Sequence, residues 1–183
     1  MTQQEQLDVL KQKFGNVIVA LENDRAGCPI VWVNKEEILL VLSFAKDTFE
    51  YQFLADLTAY DDFGAPDTPQ ELLRDAKATQ YYNDRFVVVY NLYSPAMKQR
   101  LRIKTRVAEG HTVPTAVGVW AGANWAEREV FDMFGIRFER HPDLRRILMD
   151  QRWEGHPLRK DYYWRKYQLF SDCEPIPYHL LKD

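Results

Sequence analysis

Two histidines in matching settings are the first residues of this sequence whose types and spacing could hold a metal. The segments "ERHPDLRR" and "EGHPLRKD" place Glu139 and His141 fifteen residues before Glu154 and His156, and two imidazoles with two carboxylates can ligate a divalent transition ion. Each histidine precedes a proline, however, and is followed by two cations, Arg145 with Arg146 and Arg159 with Lys160, whose charge opposes a metal by Coulomb repulsion. A hydrogen-bonding corner at each histidine is the favoured reading, and a free-standing metal-dependent enzyme using His141 and His156 is its rival. Other chemistries have less to stand on. The eight glycines form neither G-x-G-x-x-G nor a P-loop, H-E-x-x-H is absent, and Ser43, Ser94 and Ser171 lie in no nucleophile elbow. With only Cys28 and Cys173, neither a disulfide framework nor a four-thiolate cluster site can be built from this chain alone.

The densest mixture of ionisable and apolar side chains is "ANWAEREVFDMFGIRFERHPDLRRIL", residues 123–148. It predicts a helix capped by Asn124, with Glu127 at the reciprocal capping-box position and Gly135 as the stop. At about 100° per residue, Ala126, Val130, Phe131, Met133 and Phe134 share an apolar arc, while Arg128, Glu129 and Asp132 occupy the other face. Two residues break the pattern. Glu127 falls in the apolar arc, either as the cap or as half of an interdomain or intersubunit ion pair. Trp125 falls among the charges, which marks a face that meets protein rather than water. An Arg128–Asp132 pair at i, i+4 adds only ~0.2–0.5 kcal/mol, too little to account for so dense an arrangement.

Past this helix the chain changes character. Residues 137–166 hold nine basic and five acidic side chains, an alternation that reads as interface pairing or solvated charge rather than a nucleic-acid site. The last 33 residues carry seven aromatics (Trp153, Tyr162, Tyr163, Trp164, Tyr167, Phe170 and Tyr178) without helical or strand period. At ~150 Å² or more apiece these rings offer on the order of 1,000 Å², above the ~300–600 Å² patch that a monomer exposes. Burying that surface is worth at most roughly 25 kcal/mol, while ordering the backbone costs ~1–2 kcal/mol per residue. Such an arm needs a template, in its own domain or on another chain.

The elements that must position these residues are legible from periodicity. The chain has 183 residues, 46% of them hydrophobic, enough for one core that buries roughly 70% of the unfolded surface. Its formal charge of -3 gives no case for nucleic acid or an anionic membrane. The longest apolar run, residues 38–45, falls well short of the ~20 residues of a membrane span, and the N-terminus lacks a secretory or transit pattern. Membrane association is therefore expected only through a partner, in a reducing, cytosol-like compartment.

Thr2 and Glu5 at capping-box spacing, Leu7, Leu10 and the stop at Gly15 predict an opening helix. Strands are expected at 16–21 and 29–33, a helix at 35–45, and three further strands at 51–61, 85–94 and 99–107. An excursion with a short capped helix near Thr68, Pro69 and Glu71 separates the first two of those three. Residues 111–124 read as a connector. The class is α+β, a mixed or antiparallel sheet with helices on one face followed by an extended C-terminal arm. The platform spans residues 1–120, and the helix with its partner-docking arm spans 121–183.

The run "EREVFDMFGIRFERHPDLRRIL" followed by "GHPLRKDY" closely resembles the signature of the C-type subunit family of respiratory complex I, the proton-translocating NADH:quinone oxidoreductase, over residues 124–162. Arg140 stands where that family often has a glycine before the histidine, and Tyr163 where a proline often follows Asp161 and Tyr162.

The resemblance implies a subunit of the hydrophilic arm with no catalytic site, metal or cofactor of its own. FMN, iron–sulfur clusters and quinone are expected in partner subunits. The arm is expected to wrap the quinone-site (D-type) subunit near the terminal-cluster (B-type) subunit. The whole is a hetero-oligomer, peripheral to the cytoplasmic side of the cell membrane, in which this protein supports electron transfer to quinone coupled to proton translocation. The alternative within the family is the equivalent subunit of a membrane-bound hydrogenase or other-donor quinone oxidoreductase. The interface residues on this reading are Trp125, Glu127, Arg128, Glu129 and Asp132 of the helix, with His141, Arg145, Arg146, Trp153, His156, Arg159, Lys160, Asp161 and Trp164 beyond it. Arginines and Lys160 would meet carboxylates, tryptophans would anchor, and the histidines would set corners.

Overall fold

The opening helix α1, Gln3–Phe14, starts where the capping box places it: the Glu5 amide donates to the Thr2 hydroxyl, and the Thr2 amide donates to the Glu5 carboxylate at 2.9 Å. The computed structural model describes residues 2–63, 84–163 and 168. The next elements are β1 (Ile18–Asn23), β2 (Pro29–Val33), α2 (Ile38–Thr48), β3 (Phe53–Asp61), β4 (Phe86–Ser94) and β5 (Gln99–Val107). The helix expected from residue 35 begins at Ile38, because Lys35–Glu37 close a tighter 3-10 turn first.

β3, β4 and β5 form an antiparallel meander, with Leu57 opposite Tyr90 and Tyr90 opposite Ile103. The β1–β2 hairpin joins through β2, which lies parallel to β5 with Val31 opposite Ile103, giving the order β1-β2-β5-β4-β3. Strand alternation then sorts the side chains. Val31, Val88, Tyr90, Leu92 and Ile103 face the core, where Leu7 and Leu10 of α1 and Val41, Leu42 and Ala45 of α2 cover them. The helices thus lie on one sheet face. Ile30, Trp32, Val87 and Val89 form a smaller cluster on the other.

A third helix, α3 (Ala123–Phe134), inserts Val130, Met133 and Phe134 into the main core, so one core runs through both sides of residue 120. Two three-residue strands, β6 (Thr112–Pro114) and β7 (Arg137–Glu139), flank this helix and pair in parallel, Val113 opposite Phe138. Neither is long enough to show a period in sequence; only their mutual pairing makes them strands. The short helix expected near Thr68, the side chain of Trp164 and the arm beyond residue 163, apart from Gln168, lie outside the described residues. No helix among the described residues is long and apolar enough to cross a membrane.

Candidate partner-docking site

α3 and the residues that follow it form a corner organised by buried carboxylates. Asp132 has no exposed surface. One of its oxygens accepts the amides of Ile147 (3.0 Å), Leu148 (2.8 Å) and Met149 (2.8 Å), and the other pairs with the Arg146 guanidinium at 2.5 Å. Burial acts to raise its pKa, yet the three amides and Arg146 together hold it below the usual carboxylate range. The Arg128 guanidinium adds bonds to the carbonyls of Arg145 (3.1 Å) and Arg146 (3.2 Å). A loop with no regular structure is thus fixed to the helix by side chains of the helix.

The last carbonyls of α3 have no partner within the helix, and the arm supplies them. His156 Nδ1 donates to the Asp132 carbonyl (2.9 Å), the Leu158 amide to Met133 (3.1 Å) and Arg159 Nε to Phe134 (2.5 Å). Cations at this end also complement the negative pole of the helix. Desolvation, reinforced by Arg159 and Arg146, keeps the His156 pKa below its ordinary value. Gly135 makes the approach possible. Its φ is +79°, and a Cβ there would lie 2.5 Å from Arg159 Nη2 and 2.6 Å from His156 Nε2. Arg140, where the family resemblance places a glycine, also adopts a left-handed φ of 60°.

A second clamp lies at the base of the excursion. Arg85 bonds Asp61 at 2.7 Å, Asp161 at 2.6 Å and Glu109 at 3.0 Å, between the rings of Phe63 and Phe86, each 4.9 Å away. Asp61, which is buried, also accepts the Lys160 amide at 2.9 Å, and Arg159 bonds Glu109 at 2.6 Å. Hydrogen bonds to Asp61 and Asp161 raise the already high Arg85 pKa, and Arg85 lowers that of Asp161. Through residue 163, then, the template of the arm is its own domain.

Glu127 departs most from expectation. Gly122, without a side-chain cap, precedes α3, so Asn124 and Glu127 form no capping box. The Glu127 carboxylate is fully buried and turned inward, accepting the Thr115 hydroxyl (2.5 Å) and the Ala116 amide (2.6 Å). His141 Nε2 lies 3.9 Å from this carboxylate. That imidazole accepts the Asp143 amide on Nδ1 and donates from Nε2 to the Asn124 carbonyl, both at 3.0 Å. Burial pushes Glu127 up to about 7, against the partial relief of its two hydrogen bonds.

Of the proposed interface residues, Glu127 and Asp132 are interior, and Arg146, Arg159 and Asp161 are engaged within the chain. The expected exposed position of Asp132 is corrected for a physical reason: an arc drawn from helical period cannot show that a loop returns to cover it. The metal rival loses its donors to the backbone, since His141 uses both ring nitrogens and His156 its Nδ1. Among the described residues no three His, Cys, Asp or Glu side chains converge. Trp125, Glu129, Arg145 and Lys160 remain at the surface, Trp125 with 71% of its area exposed. Trp153 is half-buried. Arg85, Asp61, Glu109 and Thr115 were not foreseen. The one sequence signal was that Asp61 and Arg85 bracket the excursion.

The family model for the respiratory-chain NADH dehydrogenase, 30 Kd subunit, matches residues 31–168. The chain belongs to this family. The C-type subunit of NADH-quinone oxidoreductase from Trichlorobacter lovleyi is 49% identical over 157 residues, covering 85% of this chain and 86% of that one. Its counterpart from Geobacter metallireducens is 42% identical over 154 residues, covering 84% and 85%. In Bdellovibrio bacteriovorus a combined C/D protein of NADH-quinone oxidoreductase is 38% identical over 84% of this chain but only 24% of its own length. Among solved structures, the trypsin-resistant fragment (1-134) of Nqo5 superposes with a TM-score of 0.61 at 30% identity, over 76% of this chain and 98% of that one. The fold of this chain is thus shared with that fragment.

Proposed function

We propose that this member of the family is the cofactor-free docking subunit of an NADH-quinone oxidoreductase. It seats on the quinone-site subunit, next to the terminal-cluster subunit, peripheral to the cytoplasmic side of the membrane. One observation carries the reading. After the corner has used its buried charges on itself, Trp125, Leu148 and Leu158 remain 71%, 61% and 55% exposed on α3 and the segments that cap it, with Glu129, Arg145 and Lys160 as charged surroundings. Large apolar anchors within a polar rim are the composition of a protein interface. The Bdellovibrio relative supports the choice of partner, because its name joins C and D in one chain. FMN, iron–sulfur clusters and quinone would be held by the neighbours, and this protein would position them for electron transfer coupled to proton translocation.

The test is Trp125→Ala with Arg145→Glu in the whole complex. Both side chains are largely exposed, at 71% for Trp125 and 65% for the Arg145 side chain, so the variant should fold normally. A hot-spot tryptophan is worth about 2 kcal/mol or more, enough to lower the yield of assembled oxidoreductase and its NADH:quinone activity together. Normal assembly and activity would remove the docking role from this surface.

A further inference from the structure

Among the described residues three helices cover one face of the five-stranded sheet, and the opposite face carries the strands' own side chains. There β5 presents Arg100, Arg102, Lys104 and Arg106 at every second position. Their neighbours across the ladder are Tyr93, Asn91, Val89 and Val87 on β4, with Ile30 and Trp32 on β2. No carboxylate stands opposite any of the four cations. Carboxylates reach two of them from the rim, Asp24 at 3.4 Å from Arg102 and Asp62 at 2.8 Å from Arg106, and Glu22 acts on Lys104 without an ion pair between them. Arg100 and Lys104 have aromatic faces instead: Arg100 lies over Tyr93 at 5.9 Å, and Lys104 over Trp32 at 5.0 Å and Tyr60 at 5.4 Å. Beside Arg100 a groove of about 420 Å³ opens between Cys28, Phe53, Asp56, Tyr93 and Arg102. Phe53, at its mouth, is 56% exposed.

We propose that this open face is a second docking surface, which receives a carboxylate-bearing extended segment of a neighbouring subunit. Its acids meet Arg100 and Lys104, and an apolar or aromatic side chain of the segment enters the groove between Phe53 and Tyr93. Charge complementarity selects the occupant. Two cations without ion pairs among the described residues, Arg100 and Lys104, accept one or two carboxylates, whereas with Asp24 and Asp62 already beside Arg102 and Arg106 too few cations remain for the continuous phosphate chain of a nucleic acid. The surface lies across the sheet from α3 and does not depend on docking through that helix.

Cys28 lines the groove and reports on it. With Cys173→Ser as background, maleimide labelling of Cys28 is timed in the free chain and in the purified assembled complex. A seated segment excludes solvent, so labelling should slow by about tenfold or more in the complex. Arg100→Glu with Lys104→Glu should restore the free-chain rate in complexes that assemble, or block assembly of a chain whose circular dichroism is unchanged. Equal rates in the free and assembled wild type would overturn the proposal. So would slow labelling that ignores the charge reversal, or protection of the free chain by a DNA duplex. Equal rates with normal assembly would leave the α3 reading untouched, which separates the two failures.

Discussion

Replacing Glu127 by glutamine should stabilise this protein, and the gain should grow with pH. In the folded chain the carboxyl titrates at about 7 rather than at its ordinary 4.5. A folded-state pKa raised for an acid means that the native state holds the proton more tightly than the unfolded chain does. Stability is therefore greatest below pH 4.5 for this group and is lost as pH rises through 7. At ~1.4 kcal/mol for each tenfold difference in proton affinity, the full loss is about 3 kcal/mol, most of it between about pH 5 and 8. A glutamine is neutral throughout. Its oxygen can accept the Ala116 amide, and its amide can donate to the Thr115 hydroxyl oxygen, replacing the two bonds that the carboxylate accepts. Urea unfolding of both proteins from about pH 5 to pH 8 measures the difference directly. The advantage of the variant should widen by about 2 kcal/mol over that range. A difference independent of pH, or a variant that becomes less stable than wild type at about pH 8, would show that Glu127 folds as a needed anion and would refute the reasoning.

Arg85→Leu should destabilise the chain by about 3 kcal/mol, since it leaves the buried Asp61 carboxylate without its cation; limited proteolysis should then cut near residue 161 first, and unchanged protection there would disprove the clamp. Arg146→Ala and Arg145→Ala should behave differently although the residues are adjacent. Arg146 pairs with fully buried Asp132, so its loss should cost about 3 kcal/mol in thermal or urea unfolding. Arg145 pairs with Asp143 at the surface, and its loss should cost under about 1 kcal/mol. Equal effects would contradict the geometry of the corner.

The sequence made the platform legible because its signals are local. A capping box four residues wide, alternation along β4 and β5, and a stop at Gly135 are each decided by neighbours in the chain. The aromatic, basic segment after α3 was also recognisable as one that needs a template, from composition alone. What that template would be did not follow. Glu127 illustrates the limit: its position in an apolar arc was visible, but the Thr115 hydroxyl and Ala116 amide that receive it belong to a connector with no pattern.

Composition and period determined the class of fold, the order of its main elements and the family that the signature resembles, because helices and strands are selected by the chemistry of residues a few positions apart. Tertiary structure alone decided which charges face inward. Asp61, Arg85 and Asp161 meet because the chain returns across the sheet edge, and Asp132 is buried because a loop closes over it. A carboxylate and a guanidinium carry the same sequence signal whether they meet each other, water or another protein; only the path of the backbone brings one partner within hydrogen-bond reach and removes the rest.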